Sequence, residues 1–454
     1  MAVTHWWLGY NTATTATVVC RSDSTTTVTV TCDGRTFTAA ADTSVNRGIV
    51  LITVTGIDST RRPYYVDGVL GGTLRAKRQT GPWWVAYGSC WDHLRSDALA
   101  GHMHAHMDLD ALFLGGDLAY GETTGTINGY TLQSMNASIA LSQSAANYEA
   151  HQMSARLMFG LRELMRSVPT QYMPDDHEYP GTNGRNRLTV YQRTFPSAIQ
   201  ADLDTAWAAA RAVHTAWSTG NVPNMDAGID SDASYTRDTL GAMEWFMTDS
   251  IHYGDDPETG ADTAVADGAN PTKTMLGATQ RTWLTTRLNA STAPFKLWVT
   301  GKELWRTGTN TDTFFAQGPN FGFLGEVKRI LWDCKTVTGW TVVAGDQHRS
   351  GNCEIPAGYY GATYPALASI TGCPSSVDQN ATTYAGYDAE VKFRDNQGVS
   401  AAPAQRENVY ALIKVAADGS RMDRYHLSSL LGLRHRGYLV PGSNAIQYNA
   451  ARVG

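Results

Sequence analysis

Four short segments hold the side chains with the most chemistry, and each follows an apolar run. They are Gly88-Ser89-Cys90-Trp91-Asp92-His93, Gly115-Gly116-Asp117-Leu118-Ala119-Tyr120, Asp175-Asp176-His177-Glu178 and Gly345-Asp346-Gln347-His348. Cys, Asp, Tyr and His together are metal-ligating types. A hydrolytic site built on two ions needs one bridging ligand, further ligands for each ion, and groups that hold an anion and protonate a leaving oxygen. Asp117, after an apolar run and two glycines, suits the bridge, because one carboxylate can bind both ions. Tyr120, three residues on, is near enough to reach one of them. A Tyr120 phenolate and a Cys90 thiolate are anionic donors that favour trivalent iron over magnesium. Asp176 and His348 add hard and borderline ligands. His177, beside a ligand, is placed to contact substrate or to donate a proton.

Such side chains meet only if the elements before them end side by side. The preceding runs, Trp83 to Tyr87, Ala111 to Leu114, Val168 to Tyr172 and Trp340 to Ala344, read as buried strands. Ligands at the C-terminal ends of neighbouring strands converge in one crevice, which is where α/β layers place their sites. Singly, each segment also reads as a turn, an acidic loop or a buried thiol. Their order and shared placement point to a metallohydrolase.

The elements fall into two textures. Over residues 1–80, Thr and Val alternate (Thr25-Thr26-Thr27-Val28-Thr29-Val30-Thr31), with a turn at Asp33-Gly34 and a second alternating run from Ile49 to Thr55. Short alternating strands with regular turns imply a small antiparallel β-sandwich domain. Over residues 81–454, strands alternate with helices. Helices are expected over 92–107, 137–166, 201–217 and 280–288, and a strand over 295–300. Residues 255–274, rich in Gly, Asp, Pro and Thr, read as a loop or lid. A late hairpin around Asp418-Gly419 is expected to close a second sheet.

Composition narrows the function classes. The chain has 454 residues, 42% of them hydrophobic, enough for two or three domains with sizeable cores. Only 17% are charged and the net charge is −6, which argues against bulk nucleic-acid binding. No apolar stretch is long enough to span a membrane. The first residues, Met1-Ala2-Val3-Thr4-His5-Trp6-Trp7, lack the basic and apolar regions of a signal peptide. Cys20 with Cys32, and Cys353 with Cys373, could pair if oxidised or remain buried thiols. His102 and His106 would share a helix face, but a pair without a third ligand makes a poor metal site.

The motif set resembles the PhoD-like alkaline phosphatases and phosphodiesterases of the metallophosphoesterase superfamily. The residues that carry the resemblance are Ser89-Cys90, Gly116-Asp117 with Tyr120, Asp175-Asp176-His177-Glu178 and Asp249. Met275-Leu276-Gly277 with Gln280, Trp283 and Leu284 continues it, and Gly345-Asp346 with His348 completes it. The resemblance implies a four-layer αββα catalytic domain preceded by the small β-sandwich. It implies a dinuclear centre, with Fe(III) and Ca²⁺ as the expected ions and other divalent metals as alternatives. Cys90, Asp117 and Tyr120 resemble the iron ligands. Asp117 would bridge to calcium, and Asp176, Asp249 and His348 or Asp346 would complete the set. Asp346 and His177 are the catalytic candidates. The implied reaction is attack of a metal-bound hydroxide on a phosphoester. The family is usually exported, although no leader is evident here. One departure is visible: the family follows its Asp with arginines that bind phosphate, whereas Asp249-Ser250-Ile251-His252-Tyr253 has none. His252, Lys302 and Arg185 are the candidate replacements. The missing arginines leave diesters as open as monoesters, and favour as an alternative a non-catalytic surface or virion-associated protein that keeps the fold.

Overall fold

The computed structural model describes residues 3–91, 98–121, 123–134, 144–180, 200–223, 226, 234–255, 268–304, 322–346, 351–355, 357, 363–364, 366–371, 390–394, 409–428 and 432–447. The alternating N-terminal sequence forms seven strands: β1 (Val3–Asn11), β2 (Thr15–Ser22), β3 (Thr26–Cys32), β4 (Arg35–Ala41), β5 (Ile49–Thr55), β6 (Arg62–Val66) and β7 (Val69–Leu74). They pair antiparallel into two sheets, β1-β2-β5 and β4-β3-β6-β7. In β3, Val28, Val30 and Cys32 are buried while the threonines between them are not, the period of two that a half-covered strand requires. Asp33-Gly34 has φ of 50° and 69°, the left-handed pair that turns a two-residue hairpin with the strand twist. Trp6, Leu8, Val18, Val30, Tyr64 and Val66 close a core between these sheets. Cys20 and Cys32 lie in it as free thiols, so the pair is unbonded. The Cys353–Cys373 pair falls outside the described side chains.

The rest of the chain alternates strands and helices. The strands are β8 (Trp83–Gly88), β9 (Ala111–Gly115), a short hairpin β10 (Gly125–Ile127) and β11 (Tyr130–Leu132), β12 (Thr170–Met173), β13 (Thr236–Leu240), β14 (Met243–Thr248), β15 (Phe295–Thr300) and β16 (Trp340–Ala344). They continue with β17 (Gly351–Ile355), β18 (Leu367–Thr371), β19 (Glu390–Arg394), β20 (Val409–Val415), β21 (Met422–Ser428) and β22 (Gly432–Leu439). The helices are α1 (Ala98–His106), α2 (Ser144–Arg156), α3 (Leu161–Met165), α4 (Gln200–Trp217), α5 (Ala278–Ala290) and α6 (Leu324–Asp333). One sheet runs β12-β9-β8-β20-β21-β22 and the other β13-β14-β15-β16-β18-β17-β19. Strands β8, β9 and β12 are parallel, as are β14, β15, β16 and β18. Every residue of β9, β14, β15 and β16 is buried, the mark of sheets covered on both faces.

Three cores account for that burial. Val85, Phe113 and Ile413 of the first sheet pack with Trp245, Leu297 and Val343 of the second. Ala86, Leu112 and Leu114 face the helices around Leu164 and Trp217. Phe246, Trp298 and Val342 face Leu284, Val327 and Leu331 on α5 and α6. The chain is thus a mixed α/β protein with several sheets and few helices.

Two sequence-based expectations are corrected. The single helix over 137–166 is two, because Gly160 has φ of 89° and ends any continuous α ladder between α2 and α3. The late hairpin β20–β21 pairs through β20 with β8, so it extends the sheet that carries Cys90 and Asp117. Of the helix expected over 92–107, residues 98–106 are seen as α1; 92–97 fall outside the described residues, as do 256–267 of the proposed lid. Among the described residues no helix is long and apolar enough to cross a membrane.

Candidate metal centre

Parallel strands deliver the key residues to one end of the two sheets. The chain leaves β8, β9 and β16 through Cys90, Asp117 and Asp346, whose φ angles are 63°, 52° and 70°. Left-handed backbone at non-glycine residues costs free energy and gathers at sites that need side chains aimed unusually. β12 ends at Met173 and, through Pro174, hands on Asp175 and Asp176, and β15 ends at Thr300 and, through Gly301, hands on Lys302. The loops then interlock. The Cys90 amide donates to the Gly116 carbonyl at 3.0 Å, and the Trp91 amide to the Asp117 carbonyl at 2.8 Å. Gly116, with φ of 87°, is required by close approach, since a Cβ there would lie 2.3 Å from the Asp175 Cβ.

At the centre are four buried carboxylates. Asp117, Asp175, Asp176 and Asp346 each offer an oxygen, and these atoms all lie within 4.8 Å of one another. The Lys302 ammonium donates to Asp175 Oδ1 at 2.9 Å, Asp176 Oδ1 at 2.7 Å and Asp346 Oδ1 at 2.7 Å. Asp117 Oδ2 and Asp175 Oδ2 are buried without a hydrogen-bond partner. Burial pushes the Asp117 carboxyl well above the usual range; Asp176 and Glu178 add to the rise and His177 opposes it. Burial also raises Asp175, against the pull of Lys302. Four buried carboxyl groups with two orphaned oxygens fit a hard cation, because oxygen donors of this kind select Ca²⁺, Mg²⁺, Mn²⁺ or Fe(III).

Glu178 holds the site from behind. Its carboxylate accepts from the amides of Asp117 (2.9 Å), Leu118 (2.6 Å), Ala119 (3.1 Å) and Asp175 (2.8 Å), so one side chain ties two loops together. Burial lifts its pKa to about 7 against the lowering effect of those amides. The Glu178 carbonyl accepts from His214 Nε2 at 2.9 Å, which fixes that ring as the Nε2–H tautomer. His214 in turn meets Tyr172 and Gln152, and Gln152 bonds to Arg156.

The other sequence candidates divide. Tyr120 and His177 come together, with ring centroids 4.3 Å apart, and the His177 amide donates to Asp117 Oδ1 at 3.3 Å. Cys90 is buried, with its Sγ 3.3 Å from Ser89 Oγ, and it lies outside the carboxylate group. Asp249 also lies outside it. Its carboxylate accepts from the amides of Ile251 and His252 and bonds to Ser234 Oγ and His252 Nδ1, contacts that hold it in the low carboxylate range despite burial. The other His252 nitrogen meets the Tyr179 hydroxyl. His252 lines a cavity of about 280 Å³ together with Arg211, Ser234 and Thr236. Lys302 is at the centre, but bonded to the carboxylates. His348 and Arg185 fall outside the described residues. The His102 and His106 rings lie with centroids 4.5 Å apart, tilted by 47°, and no third metal-ligating side chain joins them among the described residues.

Sequence reasoning named the Asp175 segment but gave neither Asp175 nor Glu178 a role. A signal was present: Asp175-x-x-Glu178 is a capping box, and both of its reciprocal bonds are formed here around one turn of 3-10 helix, Asp176–Glu178.

A family model described as PhoD-like phosphatase matches residues 84–414. The chain belongs to that family. As a PhoD-like phosphatase it is a phosphoric ester hydrolase. A solved structure titled "Structure of PhoD" aligns with a TM-score of 0.67 at 16% identity, covering 98% of this chain and 92% of that one, a likeness of fold. No curated protein matches the chain.

Proposed function

We propose that this PhoD-like phosphatase hydrolyses phosphoesters at a dinuclear metal centre built on the four buried aspartates, with Asp117 as the bridging ligand. The observation that carries the reading is the pair of orphaned buried oxygens, Asp117 Oδ2 and Asp175 Oδ2, in a carboxylate cluster at the parallel strand ends. Bound ions would lower the pKa of a water to make the nucleophile and would neutralise the phosphoryl oxygens. Asp175, Asp176 and Asp346 would hold the ions from the remaining sides. Cys90, Tyr120 and His348 are retained as ligand assignments, Cys90 and Tyr120 as residues that would hold iron and Asp117 as one that would also hold calcium, whereas Asp249, its carboxylate taken up by Ser234, His252 and its own following amides, is set aside. The carboxylate cluster supports the calcium half of this assignment more directly than the iron half.

The chain's own residues supply the rest. His177, steadied against the Tyr120 ring, donates a proton to the leaving oxygen. Lys302, His252 and Arg185 are assigned to the substrate phosphate. Arg211, in the same cavity as His252, adds the guanidinium that the segment after Asp249 lacks. A four-layer αββα arrangement of residues 81–454 is supported by the three separate cores, and a sandwich domain over 1–80 by its own core. Both monoesters and diesters are candidate substrates, and a usual exported location is carried over from the resemblance.

The test is Asp117→Ala. Metal content by mass spectrometry and turnover of p-nitrophenyl phosphate and bis(p-nitrophenyl) phosphate should fall together, while the circular dichroism spectrum is kept. Turnover that survives with the metal lost would sink the reading.

A further inference from the structure

Lys302 is placed differently from any residue the sequence assigned to the centre. Its side chain is buried to 1% exposure, and one ammonium bonds three aspartates that come from two sheets. Asp175 and Asp176 follow β12, and Asp346 follows β16. Three buried carboxylates at this distance repel one another unless a proton or a cation lies between them. An ammonium has three donors and one charge, so it bonds one oxygen of each and offsets only part of their charge. The oxygens it leaves are telling: Asp175 Oδ2 and Asp117 Oδ2 are the two orphans. The cluster therefore holds oxygens open to an ion and oxygens already held by lysine, while Asp117 Oδ1 accepts from the His177 amide.

We propose that Lys302 is the centre's resident counter-cation: it keeps the three aspartates assembled without metal and competes with one of the two ions for their oxygens. The first ion binds at the open oxygens of Asp117 and Asp175. The second takes oxygens from the ammonium, and its affinity is weaker by the work of displacing a buried ion pair. Lysine freed in that exchange is then available to a phosphoryl oxygen. Lys302 is a positioning residue for the metals in this account, and the account rests on the metal reading above.

The experiment strips the full chain with EDTA and titrates Ca²⁺ or Mn²⁺ by calorimetry, for the wild type, Lys302→Met and Lys302→Arg. Wild type should bind in two steps of unequal affinity. In Lys302→Met the weaker step should tighten by about tenfold or more, because no ammonium has to leave. The same variant should melt below wild type in EDTA and recover with divalent ion, whereas Lys302→Arg, which keeps the charge, should stay close to wild type in EDTA. If Lys302→Met is too unstable without metal, Lys302→Gln, which keeps a donor but no charge, is titrated instead with the same expectation. Equal weak-step affinities in wild type and the neutral variant would overturn the lysine proposal alone. Absence of ion binding to wild type would overturn the metal reading beneath it.

Discussion

At the scale of single residues, the site separates groups that face the chemistry from groups that aim them. His177, as the proposed proton donor, belongs to the first kind. Its replacement by Ala should lower kcat by about 10²- to 10⁴-fold, the usual contribution of a positioned acid, with a larger loss for poor leaving groups. Metal content should be unchanged, and a His177→Ala enzyme equally slow on good and poor leaving groups would deny it the proton-donor role. Glu178 belongs to the second kind. Four amides converge on its carboxylate. Gln offers one acceptor oxygen, so Glu178→Gln leaves buried N–H groups unpaired at about 1–3 kcal/mol each. Denaturant unfolding should show that loss, and ion affinity should fall with it, because the same amides set the pitch of Asp117 and Asp175. The sequence displayed both residues in one tetrapeptide, yet nothing in it said that Glu178 points back to the Asp117 loop.

Elements act here through their ends. β9 and β12 are parallel neighbours, and their following loops cross so closely that Gly116 has no room for a side chain. Gly116→Ala combines a left-handed φ with a Cβ 2.3 Å from the Asp175 Cβ. Its backbone cost alone is about 1–3 kcal/mol. The prediction is a folded but destabilised protein with depleted metal, checked by thermal melting and metal analysis; normal metal content would mean the two loops do not depend on that contact. The strands themselves were legible, because apolar runs of five or six residues between turn signals mark buried parallel strands. β15 and β16 match the runs expected at 295–300 and 340–344. Helix α2 was not, since its continuity past Arg156 depends on Gly160, and an isolated glycine in a helical pattern is compatible with either outcome.

Over the whole molecule, a buried polar network links the N-terminal sheets to the centre. His5 on β1 donates through Nε2 to the Met153 carbonyl of α2 at 3.1 Å, with Trp7 stacked on Trp217 at 5.2 Å. Arg156 lies over the rings of Trp7, Tyr172 and Trp217. Burial lowers both His5 and His214 from the ordinary 6.5 to about 3. Above pH 6.5 both rings are neutral folded or unfolded, so their contribution to stability is complete. As pH falls from 6.5 towards 3, the unfolded chain takes up protons that the folded chain refuses. Each histidine then removes about 1.4 kcal/mol of stability per pH unit. Unfolding free energy measured across that window should fall, and His214→Gln should flatten the fall. An unchanged slope would mean His214 is protonated in the folded protein.

The sequence by itself determined most of the elements and the segments on which the clustered aspartates lie. Turn chemistry at Asp33-Gly34, alternation in β3 and the buried runs before Cys90, Asp117 and Asp346 are local properties, set by backbone sterics and by which faces must avoid water. Tertiary structure decided which of those groups meet. Asp175, Asp176 and Asp346 share one lysine across two sheets, while Asp249, equally plausible in sequence, is turned inward onto His252 and its own following amides. Strand order and loop crossing fix such choices, and both arise from packing between residues far apart in the chain: Asp175 and Asp346, 171 positions apart, bond the same ammonium, and β20 pairs with β8.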